Sequence, residues 1–146
     1  MRFIYLFLSA VAGTLLLSCN TKPEPFKYGK DICHICKMGI IDPKFGCEVI
    51  TNKGKIYKFD DVICTARFLK SGTVKESDIK KTVVINFEKE NDFLDITTSY
   101  FVAAPEIKSP MGSNAAAFRD SATAEKFITR QKGQILSWST LLKEAE

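Results

Sequence analysis

The fold is decided by residues 47–61, CEVITNKGKIYKFDD. The first five of them and residues 55–59 are rich in strand formers and flank a short turn that contains glycine, which predicts a β-hairpin. Asp60 or Asp61 then precedes an apolar pattern of helical period, so a helix is expected to begin there with an aspartate as its N-cap. Gly72 suits the end of that helix. The stretch therefore predicts a strand–strand–helix unit.

The rest of the chain completes this unit and predicts a second unit of the same kind. Residues 83–87 predict a buried strand that completes the first unit, and residues 96–103 predict a strand in the second. Asp120 or Ser121 is expected to open a second helix, and residues 134–138 are expected to return as a strand. Each half then contains strand, strand, helix, strand, so the predicted class is α+β.

A short internal repeat supports two related halves. The pattern F-x-D-x6-F occurs at residues 59–68 and again at residues 118–127, and a Met-Gly pair precedes each copy, at Met38 and at Met111. Chance similarity is the alternative for so short a pattern. The repeat predicts two small ββαβ-type lobes packed together.

The N-terminus predicts a lipid anchor. Arg2 precedes an apolar run, residues 3–17, that is short for a membrane-spanning helix, which needs about 20 apolar residues. Leu-Leu-Ser then leads to Cys19, which is typical of a bacterial lipobox whose cysteine is acylated and becomes the mature N-terminus. A plain signal-anchor helix is the alternative. The expected location is the cell envelope, with the protein anchored to a bacterial membrane and facing the periplasm.

These signals divide the chain into four predicted segments. They are a signal peptide at 1–18, a lipid-anchored linker at 19–30, a first lobe at 31–90 and a second lobe at 91–146. The formal net charge of +4 arises from well-mixed charges, and no basic patch with interleaved aromatic residues is apparent. A nucleic-acid partner is therefore not expected.

The chemistry is concentrated in residues 33–38, CHICKM. A C-x-x-C pair is found in thioredoxin-like redox sites, in zinc sites and in disulfides. A redox site would need the pair at a helix N-terminus, and the following Pro43 makes a long helix there unexpected. A zinc site could add Cys47 and Cys64, although these are isolated from each other. A disulfide between Cys47 and Cys64 is a further structural alternative.

A soft-metal site is the fourth interpretation of this motif. Cys36 and Met38 offer a thiolate and a thioether, a donor set suited to Cu(I) rather than Zn(II). Met111 lies in a polar, turn-prone setting that is unusual for a core methionine, so it is a further candidate ligand. Cys33 and His34 are possible supporting residues. A solvated loop histidine is the alternative for His34.

Several motifs together resemble the NosL family of copper-binding lipoproteins associated with assembly of nitrous-oxide reductase. The motifs are Cys33-x-x-Cys36-x-Met38, Phe45-Gly46, Gly54-Lys55-x-Tyr57-x-Phe59-Asp60-Asp61 and Pro110-Met111-Gly112 with Ala117-Phe118. The resemblance implies a two-lobed α+β fold, a lipid anchor, and Cu(I) delivery to a periplasmic copper enzyme. By position it implies Cys36, Met38 and Met111 as Cu(I) ligands.

The chain departs from the family pattern at Lys37, where glycine is common, and in its additional cysteines, Cys47 and Cys64. The expected function is that of a copper chaperone rather than an enzyme, with the nitrous-oxide reductase system as partner. A membrane-tethered thiol–disulfide reductant that uses Cys33 and Cys36 is the alternative, and a structural lipoprotein with two disulfides is a third possibility.

Overall fold

The computed structural model describes residues 21–145 and shows a mixed α+β fold. Seven strands lie within these residues: β1 Cys47–Thr51, β2 Ile56–Phe59, β3 Ile79–Ile85, β4 Phe93–Asp95, β5 Tyr100–Ala103, β6 Ala115–Phe118 and β7 Gln134–Leu136. The α-helices there are α1 Val62–Lys70, α2 Ser121–Arg130 and α3 Trp138–Glu144, and a 3-10 turn covers Glu76–Asp78. No helix in this part of the chain is long and apolar enough to span a membrane.

Two antiparallel sheets carry the predicted repeat. The first sheet has the strand order β2-β1-β3-β4, and the second has the order β6-β5-β7. In each sheet a hairpin is followed by a helix, and the next strand returns to pair with the first strand of the hairpin. This is the same ββαβ order in both halves, and the α+β class predicted from the sequence is confirmed.

The F-x-D-x6-F pattern has one structural role in both lobes. Its aspartate is the N-cap of the helix: Asp61 accepts a hydrogen bond from the backbone N–H of Ile63, and Asp120 accepts one from that of Thr123. Its two phenylalanines pack against each other, with ring centroids 5.1 Å apart for Phe59 and Phe68. The corresponding distance between Phe118 and Phe127 is 5.2 Å. The aspartate accepts a hydrogen bond from an otherwise unpaired backbone N–H at the start of the helix, and the aromatic pair packs the strand against the helix. These two roles explain why the positions recur.

Several elements differ from their predicted bounds. The strand expected at 83–87 begins earlier, at Ile79, and ends at Ile85. The strand expected at 96–103 begins only at Tyr100, because a turn that follows β4 occupies residues 96–98. Strand β6 was not predicted because three of its four residues are alanine, which has little strand preference. The strand expected at 134–138 ends at Leu136.

The second half of the chain contributes to the first core. Ser137 caps α3 by accepting a hydrogen bond from the backbone N–H of Thr140, and α3 buries Trp138 and Leu141 in the same core cluster as Phe59 and Phe68. Strand β4 pairs with β3 in the first sheet, although it follows residue 90, where the first lobe was expected to end. The first core and the first sheet therefore draw on residues from both halves of the chain.

The described part of the predicted linker packs against the fold. Phe26 is buried, and its backbone N–H donates to the side chain of Asn91. The backbone N–H of Glu24 donates to the carboxylate of Glu48. Residues 24–26 of the predicted linker are therefore held against the fold, because Phe26 supplies an apolar anchor. The predicted signal peptide and Cys19 lie outside the described residues.

Candidate metal centre

The C-x-x-C-x-M motif forms a tight hairpin-like loop. The backbone N–H of Cys33 donates to the carbonyl of Met38 at 2.9 Å, and that of Lys37 donates to the carbonyl of Cys33 at 3.1 Å. An isolated β-bridge between Ile32 and Gly39 closes the loop. Lys37 has a φ of 65°, in the left-handed region that favours glycine. The turn folds residues 33–36 back, which is how the two thiols of the motif come close together.

Cys64 in the first turn of α1 and Asp60, the residue before the helix cap, complete a cluster of possible metal ligands. The thiol sulfurs of Cys33, Cys36 and Cys64 and a carboxylate oxygen of Asp60 all lie within 4.8 Å of one another. Cys33, Cys64 and Asp60 are buried, and Cys36 is half-buried. Three thiols and a carboxylate with this spacing can hold a thiophilic metal ion.

A hydrogen bond joins the loop to the segment that leads into α1. The Cys36 thiol donates to Asp60 Oδ2 at 3.3 Å. Asp60 Oδ1 is also buried and has no hydrogen-bond partner among the described residues. A buried carboxylate oxygen without a donor is costly, and a bound cation would compensate it.

The thiols differ in acidity. A hydrogen bond from the Cys64 thiol lowers the pKa of Cys33 to about 6. The same contact raises the pKa of Cys64, and burial adds to that increase. Burial also raises the pKa of Cys36 to about 11. One thiolate is therefore favoured within the Cys33–Cys64 pair, which gives a metal ion its first anionic donor.

The predicted ligands occupy different parts of this region. Cys36 lies in the cluster, whereas Met38 is at the surface with 46% of its side chain exposed. Met111 is half-buried and packs against the first core. Its backbone N–H donates to Asp61 Oδ2 at 2.9 Å, so the loop of the second lobe is held next to the residue that follows Asp60. The assignment of Cys36, Met38 and Met111 as one ligand set stays a prediction.

The possible supporting residues separate into two environments. Cys33 belongs to the cluster. The His34 ring lies edge-on to Tyr57 at 4.9 Å and to Phe68 at 5.4 Å, where burial lowers the pKa of its imidazole. His34 is therefore packed among aromatic side chains, in place of the solvated position considered from sequence.

The alternative disulfide between Cys47 and Cys64 is not formed. All four cysteines within residues 21–145 are free. The Cys47 thiol donates to the carbonyl of Phe45, and burial raises the pKa of this thiol. Cys64 instead faces Cys33. Sequence reasoning considered Cys64 only for a zinc site or a disulfide. Its position three residues after the capping aspartate places it on the first helical turn, the end of the helix nearest the loop.

This arrangement defines a small α+β protein with a thiol-rich candidate metal centre. A sequence model of the NosL family matches residues 27–145, so the chain belongs to that family. Among solved structures the fold is similar to a crystal structure of the copper chaperone NosL from Shewanella denitrificans, with a TM-score of 0.62 and 22% sequence identity. The alignment covers 82% of this chain and 95% of that chain. No curated protein sequence matches the chain.

Proposed function

We propose that the protein is a membrane-anchored copper carrier that binds Cu(I) and passes it to a periplasmic copper enzyme, with nitrous-oxide reductase as the acceptor. The observation that carries the proposal is the cluster of three thiols and one carboxylate at the meeting point of a loop and a helix. Membership of the NosL family supports it, as does the similarity to a structure described as a copper chaperone.

The donor chemistry supports Cu(I) as cargo. Cu(I) is a soft cation that prefers thiolates and thioethers, and the loop presents both within three residues, Cys36 and Met38. Met111 adds a thioether from the second lobe. Cys36 is half-buried and Met38 is exposed, so together they provide a route by which an acceptor protein could reach the metal. A carrier needs such access because it must release its cargo.

Lipidation at Cys19 would hold the protein at a membrane and restrict its search for partners to the periplasmic side of that surface. Two or more acyl chains give stable anchoring, whereas one chain binds only marginally. The role needs no catalytic residues, and the protein is proposed to act without chemical turnover.

The test is an anaerobic titration of the reduced protein with Cu(I) in competition with a chromogenic Cu(I) chelator. One Cu(I) per chain is expected, bound more tightly than Zn(II), and native mass spectrometry gives the stoichiometry. Cys47→Ser is the matched control, since this buried thiol lies outside the donor cluster. Absence of Cu(I) binding, or tighter binding of Zn(II), would contradict the proposal.

The alternative function, a thiol–disulfide reductant, has less support from the geometry. Its nucleophile would be Cys33, whose pKa is lowered by the hydrogen bond from Cys64, but this thiol has no exposed surface. The more accessible thiol, Cys36, has a raised pKa because of burial. An attacking thiol needs both thiolate character and access, and neither cysteine has both.

A further inference from the structure

Two of the three clustered thiols lie deeper than the surface route formed by Cys36 and Met38. Cys33 and Cys64 have no exposed surface, and they come from different segments, the loop and the first turn of α1. Cys36 lies between the buried thiols and the surface, because it belongs to the cluster and is only half-buried. The protein therefore has an inner group of sulfurs, Cys33, Cys36 and Cys64. It shares Cys36 with the predicted outer ligand set of Cys36, Met38 and Met111.

The spacing of the inner sulfurs suits a shared metal ion. Metal–sulfur bonds of about 2.3 Å, the length found for zinc thiolates, place three sulfurs in a plane around one metal ion about 4.0 Å apart. The donors of the cluster lie within 4.8 Å of one another. Each pair of sulfurs therefore has to close by less than about 1 Å to share one metal ion, which side-chain rotation can supply.

Asp60 provides an independent sign that a cation belongs here. Its side chain is 2% exposed, one oxygen accepts the Cys36 thiol, and the other has no partner among residues 21–145. Buried carboxylates are normally paired with donors or bind metals. The unpartnered oxygen belongs to the same carboxylate that completes the thiol cluster.

From these observations we propose that Cys33, Cys36 and Cys64 form an inner Cu(I) position in which copper rests, distinct from the outer position on Cys36, Met38 and Met111 through which it is exchanged. The inference rests on the proposed function, because it takes Cu(I) as the cargo. Copper stays Cu(I) throughout and no electron is transferred. Each thiol that binds Cu(I) releases its proton to solvent.

The inner position favours thiolates over thioethers for a physical reason. A thiolate carries the charge that compensates a cation, whereas a thioether is neutral. Copper on the inner set would therefore be held more tightly, and its passage to Met38 would give up one or two anionic donors. Shared use of Cys36 permits this passage without complete release of the metal.

X-ray absorption on selenomethionine-labelled protein tests the inner position without any substitution. At less than one equivalent of Cu(I), a shell of three sulfurs with no copper–selenium scattering is expected. A clear copper–selenium distance at this loading would overturn the inference, because it would place the resting copper on a methionine. The same measurement detects copper in either position, so the proposed function survives that result.

A set of variants then separates the two positions in solution. Cys64→Ser should weaken Cu(I) affinity at least tenfold relative to the parent and to the control Cys47→Ser, with one Cu(I) still bound. Met38→Leu should change the affinity less than about threefold but slow transfer to a chelator by about tenfold. If Cys64→Ser binds Cu(I) like Cys47→Ser, the inner position is wrong. Loss of Cu(I) binding by the parent itself would instead contradict the proposed function.

Folding of the serine variant is checked by its thermal unfolding. Should Cys64→Ser be unfolded, Cys64→Ala serves as the replacement, since it removes the sulfur without adding a hydroxyl to a buried site. The selenomethionine measurement decides the question if neither variant folds.

Discussion

The two lobes have the same scaffold and different chemistry. Both contain a ββαβ unit, an aspartate N-cap and a packed phenylalanine pair. Among residues 21–145, the cluster of three thiols and one carboxylate belongs to the first lobe. Alignment of the Met-Gly pairs places Glu106 and Ser109 where the first lobe has its two loop cysteines. Alignment of the F-x-D pattern places Arg119 and Thr123 where it has Asp60 and Cys64.

This difference shows which residues serve the scaffold and which serve the site. The aspartate and the two phenylalanines that recur in the F-x-D-x6-F pattern satisfy backbone groups or pack strand against helix. The positions that changed would all lie in the metal cluster, and in the second lobe they have taken other tasks. Arg119, for example, forms an ion pair with Asp92 at 2.7 Å. The second lobe contributes Met111 to the region of the site through its contact with Asp61.

The largest expected effect compares the two aromatic pairs. Phe68 is 1% exposed and contacts His34, Tyr57 and Phe59, whereas Phe127 is half-buried. Phe68→Ala should destabilise the protein by about 3–5 kcal/mol, and Phe127→Ala by roughly half as much. Urea unfolding of both variants checks this. Equal losses would mean that the lobes depend on their aromatic pairs to the same extent.

The second prediction compares matching positions on β1 and β5, the inner strands of the two sheets. The registers Cys47 with Phe59 and Tyr100 with Phe118 make Glu48 the counterpart of Phe101, and both are fully buried. Burial raises the pKa of Glu48 to about 7, although Lys58 Nζ lies 3.9 Å from its carboxylate. A carboxylate whose folded pKa is raised favours folding when it is protonated, so its cost is absent below the unfolded pKa of about 4.5 and complete above about 7.

Between pH 5 and pH 7.5, Glu48 should therefore reduce the free energy of unfolding by up to about 3 kcal/mol. Glu48→Gln should remove this part of the pH dependence while keeping the hydrogen bond from Glu24. Urea unfolding of parent and variant at several pH values gives the difference. If the variant shows the same pH dependence as the parent, Glu48 titrates normally in the fold.

The third prediction concerns the site. Cys36→Ser should lower Cu(I) affinity by at least about 100-fold, because loss of an outer-shell partner of a metal ligand already costs about 10–100-fold. Ser109→Cys, the reverse change at the matching position of the second lobe, should add no second copper. Competition titration of both variants against a Cu(I) chelator measures this. A second tightly bound Cu(I) in Ser109→Cys would show that the second lobe retains a latent site.

Local pattern was sufficient to predict the first hairpin, the two aspartate-capped helices and the repeat, because each depends on residues close in sequence. Strand β6 was missed because its alanines are held by pairing with β5 rather than by their own preference. Cys64 was missed for a related reason. Its partner Cys33 is 31 positions away, and only the packing of loop against helix brings the two thiols together.

The fourth prediction compares the two helix caps. Asp61 is buried and also accepts a hydrogen bond from the backbone of Met111, whereas Asp120 is exposed and caps only α2. Asp120→Ala should destabilise the protein by the smaller amount, because it removes only the cap of α2. Asp61→Ala should cost about 2 kcal/mol because it also leaves the Met111 N–H without its acceptor. Thermal unfolding of the metal-free protein separates the two, and equal shifts would show that the contact between the lobes contributes nothing to stability.

The smallest expected effect lies in the loops themselves. Each lobe has a residue other than glycine in the left-handed region near its Met-Gly pair, Lys37 with a φ of 65° and Asn114 with a φ of 49°. The left-handed conformation costs a residue other than glycine roughly 1–2 kcal/mol, and asparagine tolerates it better than lysine does. Lys37→Gly relieves that strain but increases the freedom of the unfolded chain and removes the hydrogen bond from Lys37 Nζ to the His34 carbonyl. The bond is exposed, so its loss costs little.

A net stabilisation of about 0.5–1 kcal/mol is therefore expected for Lys37→Gly and a smaller one for Asn114→Gly. Urea midpoints at constant slope measure the difference. A destabilised Lys37→Gly would mean that the lysine, rather than the backbone, holds the metal-binding loop in shape.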